Sequence, residues 1–285
     1  MTDAAIETSL NQPDYITINR QLAYIGTVGK RREQFCIDYI TRKQQNTAAM
    51  VRGLHQQVIA QGKSIACSKG CSTCCYFYVI ATLQECEVIV YYLYRNEEKL
   101  QHFVDRFASW RAKVNTVWDT FSEISRLQQK RMSNQADAGD EQAIDAALVA
   151  YRALDNPCPF LDGGACSIYE VRPYVCAALV ATTPPEWCRS QHPEHPQARY
   201  LKAAPPFEHD VPYFAGPRVQ SSLSSLPAVV NELLINGYGF ICSLPWLAGL
   251  KRQMATDSVM QKALRTHRSA GTQDCLSELI NERRT

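Results

Sequence analysis

The chain has no long apolar run. No uninterrupted stretch approaches the ~18 residues of a membrane-spanning helix, and the most apolar late segment, Leu244 to Leu250, contains Pro245. The start, Met1-Thr-Asp-Ala-Ala-Ile-Glu-Thr, lacks the basic flank and apolar centre of a secretory signal. Neither charge is in surplus: 30 Lys and Arg against 28 Asp and Glu leave +2, without the basic stripe of a nucleic-acid-binding protein. Lys30-Arg31-Arg32 is a short basic run and reads as a solvated helix face. Internal repeats, low-complexity tracts, a phosphate-binding glycine loop and a Gly-x-Ser-x-Gly elbow are also missing. These absences predict a cytoplasmic protein with no membrane segment and no nucleic-acid partner.

What is abundant is cysteine, with 12 in 285 residues. A chain of this length and 46% apolar content buries a core without cross-links, whereas domains below about 40 residues usually need them. In a reducing compartment clustered thiols hold metal more often than they form disulfides. Four of them fall in Cys67-Ser-Lys-Gly-Cys71-Ser-Thr-Cys74-Cys75. A helix, at about 100° per residue, would gather all four within an arc of roughly 100°. Gly70 makes a tight metal-wrapping turn the other reading.

Around this cluster the sequence reads mainly as helix. Residues 1 to about 14 read as loosely attached. Phe35, Tyr39, Met50, Leu54 and Val58 mark a helix that Gly62 ends. Tyr76 to Ile80 is a short strand or an extended wall. Thr82-Leu-Gln-Glu85 is a capping box, opening a helix to about Arg95. Leu100, Phe103, Phe107, Trp110, Val114, Val117, Phe121 and Ile124 alternate steps of three and four, which predicts one long helix over 99–130, packed within its own subunit. Asp140 is read as the cap of a helix through Tyr151. From Asn156 to Pro227 recurrent prolines predict irregular structure, and helix returns at Pro227, ending first at Asn236-Gly237.

The irregular region carries Cys158-Pro-Phe-Leu-Asp-Gly-Gly-Ala-Cys166-Ser-Ile-Tyr-Glu-Val-Arg-Pro-Tyr-Val-Cys176, then Cys188. Asp162-Gly163-Gly164 is a turn able to bring Cys158 and Cys166 together. Thiolates suit zinc, Cu(I) and iron–sulfur centres. Adjacent Cys74 and Cys75 are expected to point apart and to serve two metals, or one metal and one redox role. Cys36, Cys86, Cys242 and Cys275 read as buried small hydrophobes, and His192-Pro-Glu-His195 as a surface loop. Glu170 and Arg172 read as a local salt link, or as groups acting on the site.

This pattern resembles the YkgJ-type cysteine-cluster family, zinc- or iron-chelating proteins named for a CxxCxxCC motif. The resemblance rests on Cys71-Ser-Thr-Cys74-Cys75, on Cys158-Pro-Phe-Leu, and on the Cys166-Ser-Ile-Tyr-Glu-Val-Arg-Pro block with Cys176. It implies a metal centre with Cys67, Cys71, Cys74, Cys75, Cys158, Cys166, Cys176 and Cys188 as the ligand set. Two departures stand out: three residues separate Cys67 from Cys71, and Ala177 occupies a position where arginine is common.

The expected architecture is one mainly α domain over 1–285. Its helices pack around a loop-rich cysteine metal site at 67–188, with helical extensions at 15–62 and 227–284. Two Cys₄ zinc sites or a [4Fe–4S] cluster with thiols to spare would both fit. Iron or an iron–sulfur cluster is favoured over zinc, because the late cysteines lie 8, 10 and 12 positions apart, wider than paired zinc ligands. The function follows as metal binding with a redox or modifying activity, and with a possible protein substrate or partner. The alternative is a non-enzymatic zinc-binding or interaction module. Some relatives are described as lysine methylases of flagellin, but this chain has no methyl-donor glycine motif and that reading ranks last.

Overall fold

The computed structural model describes residues 12–68, 70–132, 134–206, 213–214, 223–244 and 247–268. It is mainly α, as expected, with short two-stranded sheets. Its described residues divide into two compact units, one drawn from 12–39, 213–214, 230–244 and 247–268, the other from 40–206 and 223–229. Among the described residues no helix is long and apolar enough to cross a membrane.

The first unit contains α1 (Gln12–Leu22), which is in place from Gln12 onward, and the opening turns of α2 (Gly26–Ala60). It also holds the end of α8 (Leu226–Asn236), then α9 (Tyr238–Ser243), α10 (Ala248–Thr256) and α11 (Ser258–Arg268). Leu22, Val28, Phe35, Leu233, Leu234, Ile241, Leu250, Met254 and Leu264 form its buried core. Asp257 caps two helices at once, accepting from Val28 N–H at 3.3 Å and from Met260 N–H at 3.1 Å. The Lys30–Arg32 run is only partly a solvated face. Lys30 is exposed, but Arg32 is buried, its guanidinium 5.6 Å from the Tyr24 ring and 5.0 Å from that of Tyr238. Cation–π stacking and its aliphatic stem let an arginine occupy such a place.

The second unit is built on α3 (Leu83–Tyr94), α4 (Glu97–Asn115), α5 (Trp118–Met132) and α6 (Ala138–Ala153). The Thr82 capping box forms as read: Glu85 N–H donates to Thr82 Oγ1 at 3.2 Å, and Thr82 N–H to Glu85 Oε2 at 2.9 Å. The three-and-four seam is buried apart from half-buried Val117, and Phe103 stacks on Phe160 with ring centroids 4.6 Å apart. The seam does not lie on one helix, however. Thr116 Oγ1 turns back to the Lys113 carbonyl at 2.7 Å, and Val117 N–H bonds Val114 at 3.0 Å, so a tightened turn separates α4 from α5. The cap of α6 is Asp137 rather than Asp140. Asp137 accepts from Asp140 N–H at 2.8 Å, and the Asp140 carboxylate returns to Asp137 N–H at 3.2 Å, so Asp140 is the far member of the box.

The proline-rich stretch is irregular, as expected, and is held by small sheets. β1 (Ile80–Thr82) pairs with β6 (Leu223–Ser225), β2 (Leu161–Asp162) with β3 (Ala165–Cys166), and β4 (Leu179–Ala181) with β5 (Tyr200–Lys202), all antiparallel. Gly163 and Gly164 turn the β2–β3 hairpin at φ +52° and +84°, a two-residue turn that requires left-handed backbone at both positions. Cys36, Cys86 and Cys242 are buried, as expected of small hydrophobes, and Cys275 lies outside the described residues.

Candidate metal centre

All eight site cysteines belong to the second unit. The early cluster is not helical. It runs as loop through Cys67 and Cys71 into a single 3₁₀ turn, Thr73–Tyr76, that carries Cys74 and Cys75. Cys71 N–H bonds the Ser68 carbonyl at 3.0 Å and Cys75 N–H that of Ser72 at 2.9 Å, so the segment curls on itself as the turn reading supposes. The late cysteines come from four different settings. Cys158 precedes β2, Cys166 ends β3, Cys176 sits on α7 (Tyr174–Ala177), and Cys188 ends a second 3₁₀ turn, Pro185–Cys188. Cys188 is buried and the other seven are half-buried.

Two backbone links join early to late. Cys158 N–H donates to the Cys75 carbonyl at 2.8 Å, and Ala66 N–H to the Ala181 carbonyl at 2.9 Å. A third link reaches sulfur directly: Ala181 N–H lies 3.1 Å from Cys67 Sγ. Val180 packs with Leu54 and Val58 of α2, and Ile65, Cys67 and Leu201 lean on that cluster. The halves are thus brought together by hydrogen bonds and a few apolar contacts.

The mutual influence of the thiols sorts them into two sets. Burial and then the charges of Cys71 and Cys74 raise the Cys67 pKa. Cys188 is raised by burial and by Cys67, Cys71 and Cys74, while the neighbouring Tyr200 hydroxyl opposes the rise. In the other set, burial pushes Cys158 up to about 12, with Cys166 and Cys74 adding. Burial also raises Cys166 and Cys176, Cys176 feeling Cys74, Cys158 and Cys166. Cys75 belongs with these, since Cys158 and Cys166 are the late cysteines that raise it.

Cys74 faces both sets. Its thiol is lowered to about 7, first by the hydrogen bond from Cys75 and, against burial, by the Arg172 charge. The same interaction, with burial, drives Cys75 sharply upward, so the two adjacent thiols act on each other. Arg172 also lowers Cys166 and Cys176, and Lys99 lowers Cys166. This arginine lies 4.1 Å from the Tyr169 ring, while Glu170 accepts from the Tyr92 hydroxyl at 3.2 Å, so neighbours Glu170 and Arg172 serve different partners.

Tyr174 is buried and Tyr169 exposed. The His192–His195 segment is a surface loop: His192 Nδ1 accepts from Glu194 N–H, and His195 Nδ1 lies 2.9 Å from the Trp187 carbonyl. Both thiol sets are therefore purely sulfur, a donor chemistry that fits soft or borderline ions. Among the described residues, no three His, Cys, Asp or Glu side chains close into the donor shell of a single ion. The sets are neighbourhoods of thiols rather than finished coordination polyhedra. Sequence reasoning missed Lys99 and Tyr200, which carry no motif and reach the thiols only through the fold.

Residues 66–197 match the model of the CxxCxxCC family, "Putative zinc- or iron-chelating domain". The match takes in all eight of these cysteines and leaves the chain on either side uncovered. It bears out the resemblance read from the cysteine spacing and supports metal binding. No curated protein and no solved structure matches the chain.

Proposed function

We propose, taking residues 66–197 as a CxxCxxCC domain, that this protein binds metal through two adjoining thiolate sets. Cys67, Cys71 and Cys188 make up one, Cys75, Cys158, Cys166 and Cys176 the other, with Cys74 at the junction. The observation that carries the reading is the family match over residues 66–197, which takes in all eight thiols, with early and late loops joined by Cys158 N–H to the Cys75 carbonyl at 2.8 Å and by Ala181 N–H to Cys67 Sγ at 3.1 Å. Each set draws ligands from segments far apart in sequence, which favours iron or an iron–sulfur cluster over paired zinc ligands. Bound there, iron would supply one-electron chemistry, and the protein would act as a redox or modifying enzyme. The chain's own part is to hold soft donors on half-buried loops. Arg172 and Lys99 balance the negative charge that ligation creates.

The second reading is a non-enzymatic zinc-binding or interaction module. It is favoured by the close Cys71-Ser-Thr-Cys74 spacing and by the division into two groups of about four thiols, the number a structural zinc site uses. Metal analysis of anaerobically purified protein, with its absorption spectrum, separates the two. Brown protein absorbing near 400 nm with iron and sulfide is expected; colourless protein with stoichiometric zinc would install the second reading. Protein that takes up neither metal would remove both.

A further inference from the structure

We propose that the buried ion pair of Lys43 and Glu85 is a positioning pair that sets the late cysteines against the early ones; this rests on the thiolate-centre reading above. Lys43 Nζ lies 3.3 Å from Glu85 Oε1, with the side chains 4% and 0% exposed. Both oxygens of Glu85 are engaged. Oε2 accepts from the Thr82 N–H at 2.9 Å and from its hydroxyl at 3.4 Å, and Oε1 accepts from the Tyr174 N–H at 2.8 Å. Lys43 in turn donates to the Val171 carbonyl at 3.3 Å, and its ammonium lies 5.1 Å from the centre of the Tyr174 ring.

The stretch from Val171 to Tyr174 is therefore gripped at both ends, by the lysine at a carbonyl and by the glutamate at an N–H. Inside the grip stands Arg172, whose charge acts on Cys74, Cys166 and Cys176. Just past it, Cys176 N–H bonds the Pro173 carbonyl at 3.0 Å, so Cys176 is placed from the gripped residues. On the other side, Thr82 ends the strand that follows Tyr76 to Val79, and Cys75 just before them accepts from Cys158. One carboxylate thus ties the exit of the early cluster to the entry of α7.

Stability alone does not account for this arrangement. A capping box uses one glutamate oxygen and no lysine, and a buried ion pair is often no more stable than an apolar pair of the same volume. What the charges add is direction, because each must find its partner in one geometry. Groups that orient metal ligands in this way commonly change metal affinity by about 10- to 100-fold when removed.

The test compares Lys43→Met, Glu85→Gln and the double variant in the full chain. It reads the melting midpoint, the rate at which bound cobalt(II) passes to a chelator, and the alkylation rate of Cys176 in metal-free protein. Each single variant leaves one buried partner uncompensated and should melt lower. The double variant should recover the midpoint, yet release cobalt about 10- to 100-fold faster and expose Cys176 to alkylation. Should the double variant also melt low, Glu85→Asp carries the test, since it keeps the charge but shortens the reach to Tyr174 and should show the same two effects. Wild-type release and alkylation in the well-folded variant would overturn the proposal, as would release that merely follows the fraction unfolded. A wild-type chain that takes up no cobalt would instead overturn the thiolate centre, and alkylation of Cys176 would still decide the role of the pair.

Discussion

The aromatic seam of α4–α6 and the thiol-bearing loops lie in the same unit and hold together by different means. In the seam, Phe103, Phe107, Trp110, Phe121, Ile124 and Ile144 are buried, and even its polar groups find partners: Trp110 Nε1–H donates to the Tyr151 hydroxyl at 3.2 Å, and Asn156 to the Trp110 carbonyl at 3.0 Å. In the loops the strands are two or three residues long, and seven of eight thiols are only half-buried. Apolar burial at about 25 cal/mol per Å² can sustain the first region unaided. The second buries Phe160, Ile168, Val171 and Tyr174 but has no long element of its own, and metal bound to its sulfurs would add to its cohesion.

Metal removal should break the comparison most sharply. Stripping metal anaerobically should abolish amide protection across 66–76 and 158–188 while α4–α6 keep theirs, since ligation in small thiolate sites contributes on the order of 10 kcal/mol to folding. Uniform loss of protection in hydrogen-exchange measurements would mean the two regions are not separable. Next in size are single ligand losses. Replacing Cys71, Cys74, Cys158, Cys166 or Cys176 by Ser should each lower metal per chain, because a hydroxyl is a poor, normally protonated ligand, whereas Cys36→Ser, Cys86→Ser and Cys242→Ser should leave it unchanged. Equal metal content in both groups would move the centre elsewhere.

Phe107→Ala probes the opposite side. The cavity should cost about 3–5 kcal/mol in denaturant unfolding, with metal per folded chain unchanged; metal loss from correctly folded protein would make the seam part of the site. Asp137→Ala should cost only about 1 kcal/mol through the lost cap on α6, again with no effect on metal. The smallest effect is one of reactivity. In metal-free protein, alkylation of Cys74 should rise as its thiolate forms through about pH 7, with Cys75 unreactive over that range. Below that pH the stabilisation of the Cys74 thiolate is lost, because its folded pKa lies under the ordinary thiol value. Parallel labelling of both thiols by mass spectrometry would rule out this difference between them.

What could be read from the sequence was whatever is local. The Thr82–Glu85 box, the Gly163-Gly164 turn and the stop at Gly62 each depend on a few neighbouring residues, and each is where the spacing puts it. The seam residues are correct although the helix beneath them is broken, because periodicity records which side chains face inward and survives a tight turn at Thr116. Arg32 shows the limit: three consecutive basic residues look alike in sequence, and only the placement of Tyr24 and Tyr238 buries one of them. The cysteine spacing pointed to metal binding, but which thiols come to neighbour one another depends on the path of the loops between them. Glu85 was legible as a cap and Lys43 not at all, since nothing in a helical sequence marks which lysine will meet a carboxylate.

The pairing of Ile80–Thr82 with Leu223–Ser225 has a consequence for biosynthesis. The strand that closes the early cluster's exit is made long after Cys67–Cys75, with all the late cysteines in between. At ribosomal speeds of about 5–20 residues per second, the early thiols wait on the order of ten seconds before their enclosing partner exists. The order of residues along the chain therefore puts an interval between the synthesis of the early thiols and that of the strand that pairs beside their exit.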